Sequence, residues 1–165
     1  MALEIERRFL IKNDNWKKFI TKKIFIEQGY LSKNLDDWII RIRASGKDFR
    51  IALKKHIESF TNFEFEYSIP RKDGETIMSN LSNTIKKERF FLEVEKKSWI
   101  IDCFKENNYP LEIAEIELSN ETEDLNLPSF ISKEITGLKH FSNLSLASKP
   151  FSKWKDDYLT TQKNN

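Results

Sequence analysis

Apolar residues recur at every second position in run after run: Leu3, Ile5, Phe9 and Ile11; Ile40 and Ile42; Phe63, Phe65, Tyr67 and Ile69; Ala114, Ile116 and Leu118. Period two is the signature of a half-buried β-strand, whose successive side chains point to opposite faces. The pattern predicts strands near 3–12, 25–32, 38–45, 48–56, 61–69, 86–95, 98–104 and 112–119. Between the third and fourth, Ala44-Ser45-Gly46-Lys47-Asp48 reads as a hairpin turn, making those strands antiparallel neighbours. Elsewhere the period lengthens. Asn13 or Asp14 caps an expected helix with Trp16, Phe19 and Ile20 on one face, and a second near 71–83 carries Ile77, Leu81 and Ile85. A third is expected from Pro128, with Phe130, Ile131 and Ile135 as its stripe and Gly137 as its C-terminal cap.

Length and composition narrow the class. At 165 residues the chain fits one domain, 1–165, with a polar tail expected to be loosely ordered after about 152. Thirteen Phe and four Trp exclude a disordered chain. The 28 basic and 26 acidic residues nearly cancel, so nothing predicts a nucleic-acid binder that coats a polyanion, and any functional charge is local. Cys103 is the only cysteine, which excludes an internal disulfide and a multi-cysteine zinc site. With no apolar leader and no run of 18 apolar residues, the expectation is a cytoplasmic protein without a membrane span.

The unusual feature is where the charges fall. Like charges recur at spacing two on strand after strand: Glu4 with Glu6, Arg41 with Arg43, Glu64 with Glu66, Lys87 with Arg89, and Glu115 with Glu117. Each pair shares one sheet face. A one-sided sheet with its polar face in water explains any single pair, but a merely soluble surface intersperses acid and base, because neighbouring like charges repel. Blocks of one sign on five strands instead suit a closed barrel with its apolar face outward under amphipathic helices and its charged face lining a watery interior. Eight strands can close and still hold a small ligand. Such an interior suits a polyanion bound with a divalent metal: carboxylates for the metal, Arg41, Arg43, Lys54 and Arg89 for phosphate oxygens. All-oxygen ligands favour Mg²⁺ or Mn²⁺ over zinc.

The ordered set of motifs resembles a known family. Leu3-Glu4-Ile5-Glu6-Arg7-Arg8 resembles the N-terminal E-x-E-x-K signature of the CYTH, or triphosphate tunnel, family. It is followed in family order by Gln28-Gly29-Tyr30-Leu31, Arg41-Ile42-Arg43, Ala52-Leu53-Lys54 and Phe63-Glu64-Phe65-Glu66-Tyr67. Lys87-Glu88-Arg89, Trp99-Ile100-Ile101-Asp102 and Ala114-Glu115-Ile116-Glu117-Leu118 continue it, and Glu134-Ile135-Thr136-Gly137 closes it, so the likeness spans roughly 2–150 and is nearest the bacterial inorganic triphosphatase branch.

The resemblance implies a mainly β fold: a closed eight-stranded antiparallel β-barrel, or tunnel, with flanking amphipathic helices, often a homodimer. It implies metal-dependent hydrolysis of tripolyphosphate; class IV adenylate cyclase, thiamine triphosphatase and a non-catalytic polyphosphate or nucleotide sensor are the alternatives, so the ligand is tripolyphosphate, ATP or thiamine triphosphate. Carried onto this chain, Glu115 and Glu117 hold a metal, Glu4 and Glu6 hold a second metal or the attacking water, and Glu64, Glu66 and Asp102 are further acidic candidates. Arg8, Arg41, Arg43, Lys54, Lys87 and Arg89 hold phosphate, with Lys149 a weaker candidate. Glu4, Glu6 and Arg8 are the catalytic candidates. Two positions depart from the pattern: Ile100 replaces an acidic residue, and Arg8 replaces the signature lysine. An arginine keeps the charge but cannot exchange a proton at working pH.

Overall fold

A computed structural model describes residues 3–32, 34 and 36–158. Ala2 of the opening motif and the end of the polar tail, 159–165, lie outside them.

The chain runs β1 (Leu3–Ile11), a 3₁₀ turn (Asp14–Phe19), β2 (Ile20–Tyr30), β3 (Ile39–Ser45), β4 (Asp48–Glu58), β5 (Thr61–Ile69), α1 (Arg71–Ser79), β6 (Thr84–Val94), β7 (Lys97–Phe104), β8 (Glu112–Glu117), β9 (Ile131–Glu134) and α2 (Asn143–Ser148). Eight strands close in the order β1-β8-β7-β6-β2-β3-β4-β5, and β5 returns to β1. Neighbours are antiparallel throughout. The Gly46 hairpin forms as its sequence predicts, with Gly46 at φ +62°, a left-handed turn that costs glycine nothing.

Three expectations are corrected by long-range pairing. The helix expected from Asn13 is a single 3₁₀ turn, capped as predicted by the Asn13 side chain on the Asn15 N–H, and Ile20 opens β2 instead. The second helix stops at Ser79, so Ile85 lies in β6, paired with Gln28. The third is not a helix: Ile131–Glu134 is β9, antiparallel to β1. The reason is an open edge. β1 gives one edge to β8 from Glu6 to Leu10, while its other edge meets β5 only over Leu3–Ile5. Further along that edge, Lys12 N–H donates to the Phe130 carbonyl and Ile135 N–H to the Arg8 carbonyl, and these bonds outweigh a local helical preference.

The outward face of β1, β6, β7 and β8 is covered. Phe9, Leu92, Trp99, Ile101, Ala114 and Ile116 pack under Trp16 and Phe130, with Phe19 and Leu125 partly buried against them. Trp16 meets Phe90 edge-on at 5.1 Å, and Trp16 and Trp99 are packing residues. A second apolar cluster of Ile85, Phe104, Leu111, Ile113, Phe141, Leu146 and Phe151, with Leu10 against it, fills one end of the interior beneath α2. The chain stays anchored past 152, since Trp154 and Tyr158 stack on Phe141 at 5.2 and 5.4 Å. Among the described residues α1 packs on one end of the outward face of β3–β5, with Gly74 against the Phe49 ring. No described helix is long and apolar enough to cross a membrane.

Candidate active site

Alternation along β1 turns Phe9 out to the core and Glu4, Glu6 and Arg8 inward, and the neighbouring strands repeat the division. The result is a cavity of about 930 Å³ lined by Glu4, Glu6, Arg8, Arg41, Arg43, Lys54, Glu64, Glu66, Arg89, Glu115 and Glu117. Lys87 and Asp102, the other two residues singled out from sequence, are fully buried behind Arg89. Lys149 lies outside the cavity, in a separate depression beside Trp154 and Tyr158.

The charges form three groups. In the first, one ammonium serves three carboxylates: Lys54 donates to Glu4 and, at 2.9 Å, to Glu6, with Glu64 at 3.8 Å. Burial and the Glu6 and Glu64 carboxylates outweigh Lys54 at Glu4 and push it up to about 8. Glu6 is buried too, but Lys54 and Arg8 prevail there and hold it down at about 2. In the second group Arg41 donates to Glu64 at 2.8 Å and Glu66 at 3.3 Å, and Arg43 to Glu66 at 2.5 Å, while Arg50 reaches Glu66 from the rim at 2.9 Å. In the third, Arg89 donates to both oxygens of Asp102 and to Glu115 at 3.1 Å, and Arg8 Nε donates to Glu115 at 3.0 Å. Lys87 donates to Asp102 behind them; its burial, against that attraction, lowers its pKa to about 8. Asp102 is thus engaged by two cations and drawn well below the usual carboxylate range, burial notwithstanding.

Two features show what is unfinished in this network. Buried donors Arg8 Nη2 and Arg41 Nε, both on residues lining the cavity, have no partner among the described residues. And Glu6 faces Glu117 directly across the β1–β8 ladder, one step from the opposed pair Arg8 and Glu115. Like charges directly opposite are unfavourable unless something positive lies between them, and Glu117 is exposed and makes no ion pair among the described residues. Among those residues no three acidic, histidine or cysteine side chains are arranged to hold a metal ion, because the carboxylates that converge, Glu4, Glu6 and Glu64, are turned onto Lys54. The donor set nonetheless fits a hard divalent cation: seven glutamates and two aspartates line the cavity with seven arginines and lysines, and every acidic donor is an oxygen.

Sequence reasoning passed over Tyr30 as a site residue, although it stood in the quoted Gln28-Gly29-Tyr30-Leu31. It lines the cavity opposite Arg41 in the β2–β3 register, accepts from Gln28 Nε2 at 2.5 Å, and is pushed up to about 12 by burial, so its hydroxyl keeps its proton. Its signal was positional: it alternates with the strand's outward residues and faces a site arginine. Cys103 accords with an inert thiol, pushed up to about 12 by burial beside Glu112.

No family model matches the chain. An inorganic triphosphatase of Acetivibrio thermocellus is 30% identical over 158 residues, spanning 94% of this chain and 100% of that protein. The crystal structure of an inorganic triphosphatase shares the fold with a TM-score of 0.66, at 24% identity over 89% of this chain and 95% of its own. A putative adenylyl cyclase from Hippeastrum, described as having a dominant triphosphatase activity, shares it at 0.55 and 15% identity over 73% of this chain and 80% of its own.

Proposed function

The chain belongs to the CYTH, or triphosphate tunnel, family among its inorganic triphosphatases, and from that premise we propose that it cleaves the terminal phosphoanhydride of tripolyphosphate inside the ionic cavity, with Mg²⁺ or Mn²⁺ held on its acidic side. One observation carries the reading: a single cavity joins a surplus of glutamates to arginine donors that are buried and unpartnered.

The charge balance explains why metal and substrate belong together. Seven arginines and lysines against nine carboxyl groups leave no positive surplus for a polyanion. Glu6 and Glu117, opposed across the ladder, with Glu4 and Glu115 beside them, are the residues that would hold the cation. Bound there, it supplies Lewis acidity at the phosphoryl oxygens and neutralises the carboxylates. Arg41, Arg43 and Arg89 then serve phosphate oxygens, their guanidinium forks matched to that geometry and charged at every working pH. Tyr30 adds a neutral hydroxyl donor, and Lys54 remains the compact charge against Glu4 and Glu6. Arg8 binds and cannot exchange protons, so the proton of the attacking water goes to a carboxylate. Glu4, which loses its own proton once the cation is bound beside it, is the carboxylate proposed to take it. The test is phosphate release from tripolyphosphate with Mg²⁺ or Mn²⁺, one phosphate per diphosphate formed. Glu4→Gln and Glu117→Gln are each expected to lower kcat by about 100-fold or more; unchanged rates in both sink the assignment. The same assay with ATP, scored for cyclic AMP or ADP, separates the cyclase alternative.

We propose that a second copy of the chain docks on the outward face of β3–β5. What supports it is the aromatic surface there: Trp38 against Phe65, Phe65 against Phe63, both at 6.2 Å, and Tyr67, 58% exposed. Aromatic side chains left half-exposed beside one another are the composition of an interface core. A cytoplasmic location is part of the same proposal, and the near-balanced net charge of +2 speaks against a nucleic-acid partner.

A further inference from the structure

Arg8 joins the charged cavity wall to the segment that leads into α2, which Lys87 also reaches from behind the wall, donating to Asn143 Oδ1 at 3.3 Å. Its Nε donates to Glu115, the carboxylate shared with Arg89, at 3.0 Å. Its Nη1 donates at 3.1 Å to the backbone carbonyl of Phe141, a residue with no exposed surface at the centre of the apolar cluster beneath α2. Its Nη2 is buried and has no partner among the described residues. Lys139–Phe141 forms a 3₁₀ turn that leads directly into α2, and Leu138, Lys139, Ser142, Asn143 and Leu144 of this stretch line the cavity. The backbone of Arg8 adds to the tie: its N–H donates to Thr136 Oγ1 and its carbonyl accepts from Ile135 N–H.

Resting on the triphosphatase reading, we propose that Arg8 is a positioning residue that couples phosphate binding to docking of the segment 138–148. The planar guanidinium fork provides the coupling. Two nitrogens in fixed relation meet a carboxylate and a main-chain carbonyl, and the third is left over on a side chain that lines the cavity, so an anion taken up by Nη2 would hold the guanidinium in the one orientation in which Nη1 reaches Phe141. Both contacts order the same long side chain. Whichever forms second finds that entropy cost already met, which makes the two cooperative without any change of shape. Linkage then requires reciprocity: a docked 138–148 segment raises affinity for the phosphate chain by the same factor. A lysine here, the residue of the family signature, has one nitrogen on a flexible stem and cannot hold Glu115, Phe141 and a phosphate in a fixed fork.

The experiment is amide hydrogen exchange on the whole protein, parent and Arg8→Lys, with and without Mg²⁺ plus imidotriphosphate, the nitrogen-bridged analogue of tripolyphosphate; calorimetry reports whether the probe binds. In the parent the probe is expected to slow exchange across 138–148 by about 10-fold, within the usual range of coupling between sites. In Arg8→Lys exchange there is faster without ligand, and the ligand-induced slowing falls below about 2-fold, with KM for tripolyphosphate raised and kcat little changed. A purely structural tie loosens the segment equally in both ligand states and leaves the slowing intact, which overturns the proposal. So does exchange that is identical in the two proteins. Arg8→Met, which removes every donor, must lose the slowing at least as fully; retention in a folded Arg8→Met protein also overturns it. Probe binding to the parent without any slowing at 138–148 sinks the coupling alone, whereas no binding at all sinks the triphosphatase reading and the coupling with it.

Discussion

Arg89 and Asp102 face each other across β6 and β7 as a two-pronged pair, Nε and Nη2 of the arginine each 2.7 Å from a carboxylate oxygen. Lys87 closes on the same carboxylate from the buried side, so the most enclosed acid in the molecule is a fixture for two cations. This geometry makes Asp102 a residue that aims Arg89.

Replacing it should therefore damage stability and phosphate affinity more than metal use. Removing one member of a buried ion pair typically costs about 3–5 kcal/mol, because a buried charge is left uncompensated. Asp102→Ala is expected to lose that order of stability in denaturant unfolding. Asp102→Asn, which keeps one acceptor for Arg89, is expected to lose less and to raise KM without shifting the Mg²⁺ concentration needed for half-maximal rate. A large shift in that concentration would return Asp102 to the metal site.

Glu4 gives a pH dependence with a definite sign. Its folded pKa stands at about 8 against 4.5 for a free glutamate, so between those values the folded protein holds more protons than the unfolded one. Without divalent metal, stability from this group is present below about 4.5 and declines as pH rises towards 8. Metal binding near Glu4 must release its proton, so Mg²⁺ affinity should rise through the same window and level off above it. Calorimetry of Mg²⁺ binding in buffers of different ionisation enthalpy counts the protons. Proton release near pH 7 that persists unchanged in Glu4→Gln would rule Glu4 out as their source.

Gly74 is a packing requirement. A Cβ placed there would lie 2.3 Å from the nearest Phe49 ring carbon and 2.6 Å from Phe49 Cβ, too close for the ring to escape by rotation alone. Gly74→Ala should improve helix propensity by under about 1 kcal/mol yet cost about 1–3 kcal/mol through overpacking. Urea unfolding should show the net loss; a more stable variant would mean that α1 lifts freely from β4.

The outward face of β3–β5 gives a test of assembly. Tyr67→Glu and Phe65→Glu put charge on that face without touching the cavity, whose lining includes neither. Both are expected to convert a dimer to a monomer by light scattering while leaving the cavity intact. A monomeric parent protein would remove the interface.

The candidate site was legible in the sequence to the extent that strand geometry is local. Alternation alone places Glu4, Glu6, Arg41, Arg43, Glu64, Glu66, Glu115 and Glu117 on interior faces, since side-chain direction repeats every two residues whatever the strand pairs with. Which charge meets which was not legible. Lys54 serves Glu4 across 50 positions and Arg8 meets Glu115 across 107, and such partners depend on register around a closed sheet. β9 was misread for a related reason. Phe130, Ile131 and Ile135 have helical spacing, and the free edge of β1 that claims the segment lies more than 100 residues earlier. The start of β2 was hidden by Lys22 and Lys23, which break its apolar alternation but bond as strand residues to Phe91 and Phe90.

That shared edge of β1 also sets a timetable. The strand that carries Glu4, Glu6 and Arg8 pairs with β5, β8 and β9, the last joined by Arg7 and Glu134 across 127 positions. At a ribosomal pace of roughly 5–20 residues per second, β1 waits on the order of ten seconds for its final neighbour. During that wait it is an exposed strand edge, the surface most prone to pair with a stranger. Alternating glutamates and arginines keep it soluble through their charge. The residues proposed to handle phosphate in the finished protein therefore also guard the nascent one, and substitutions that neutralise them should reduce folding yield in cells even where the folded variant is stable.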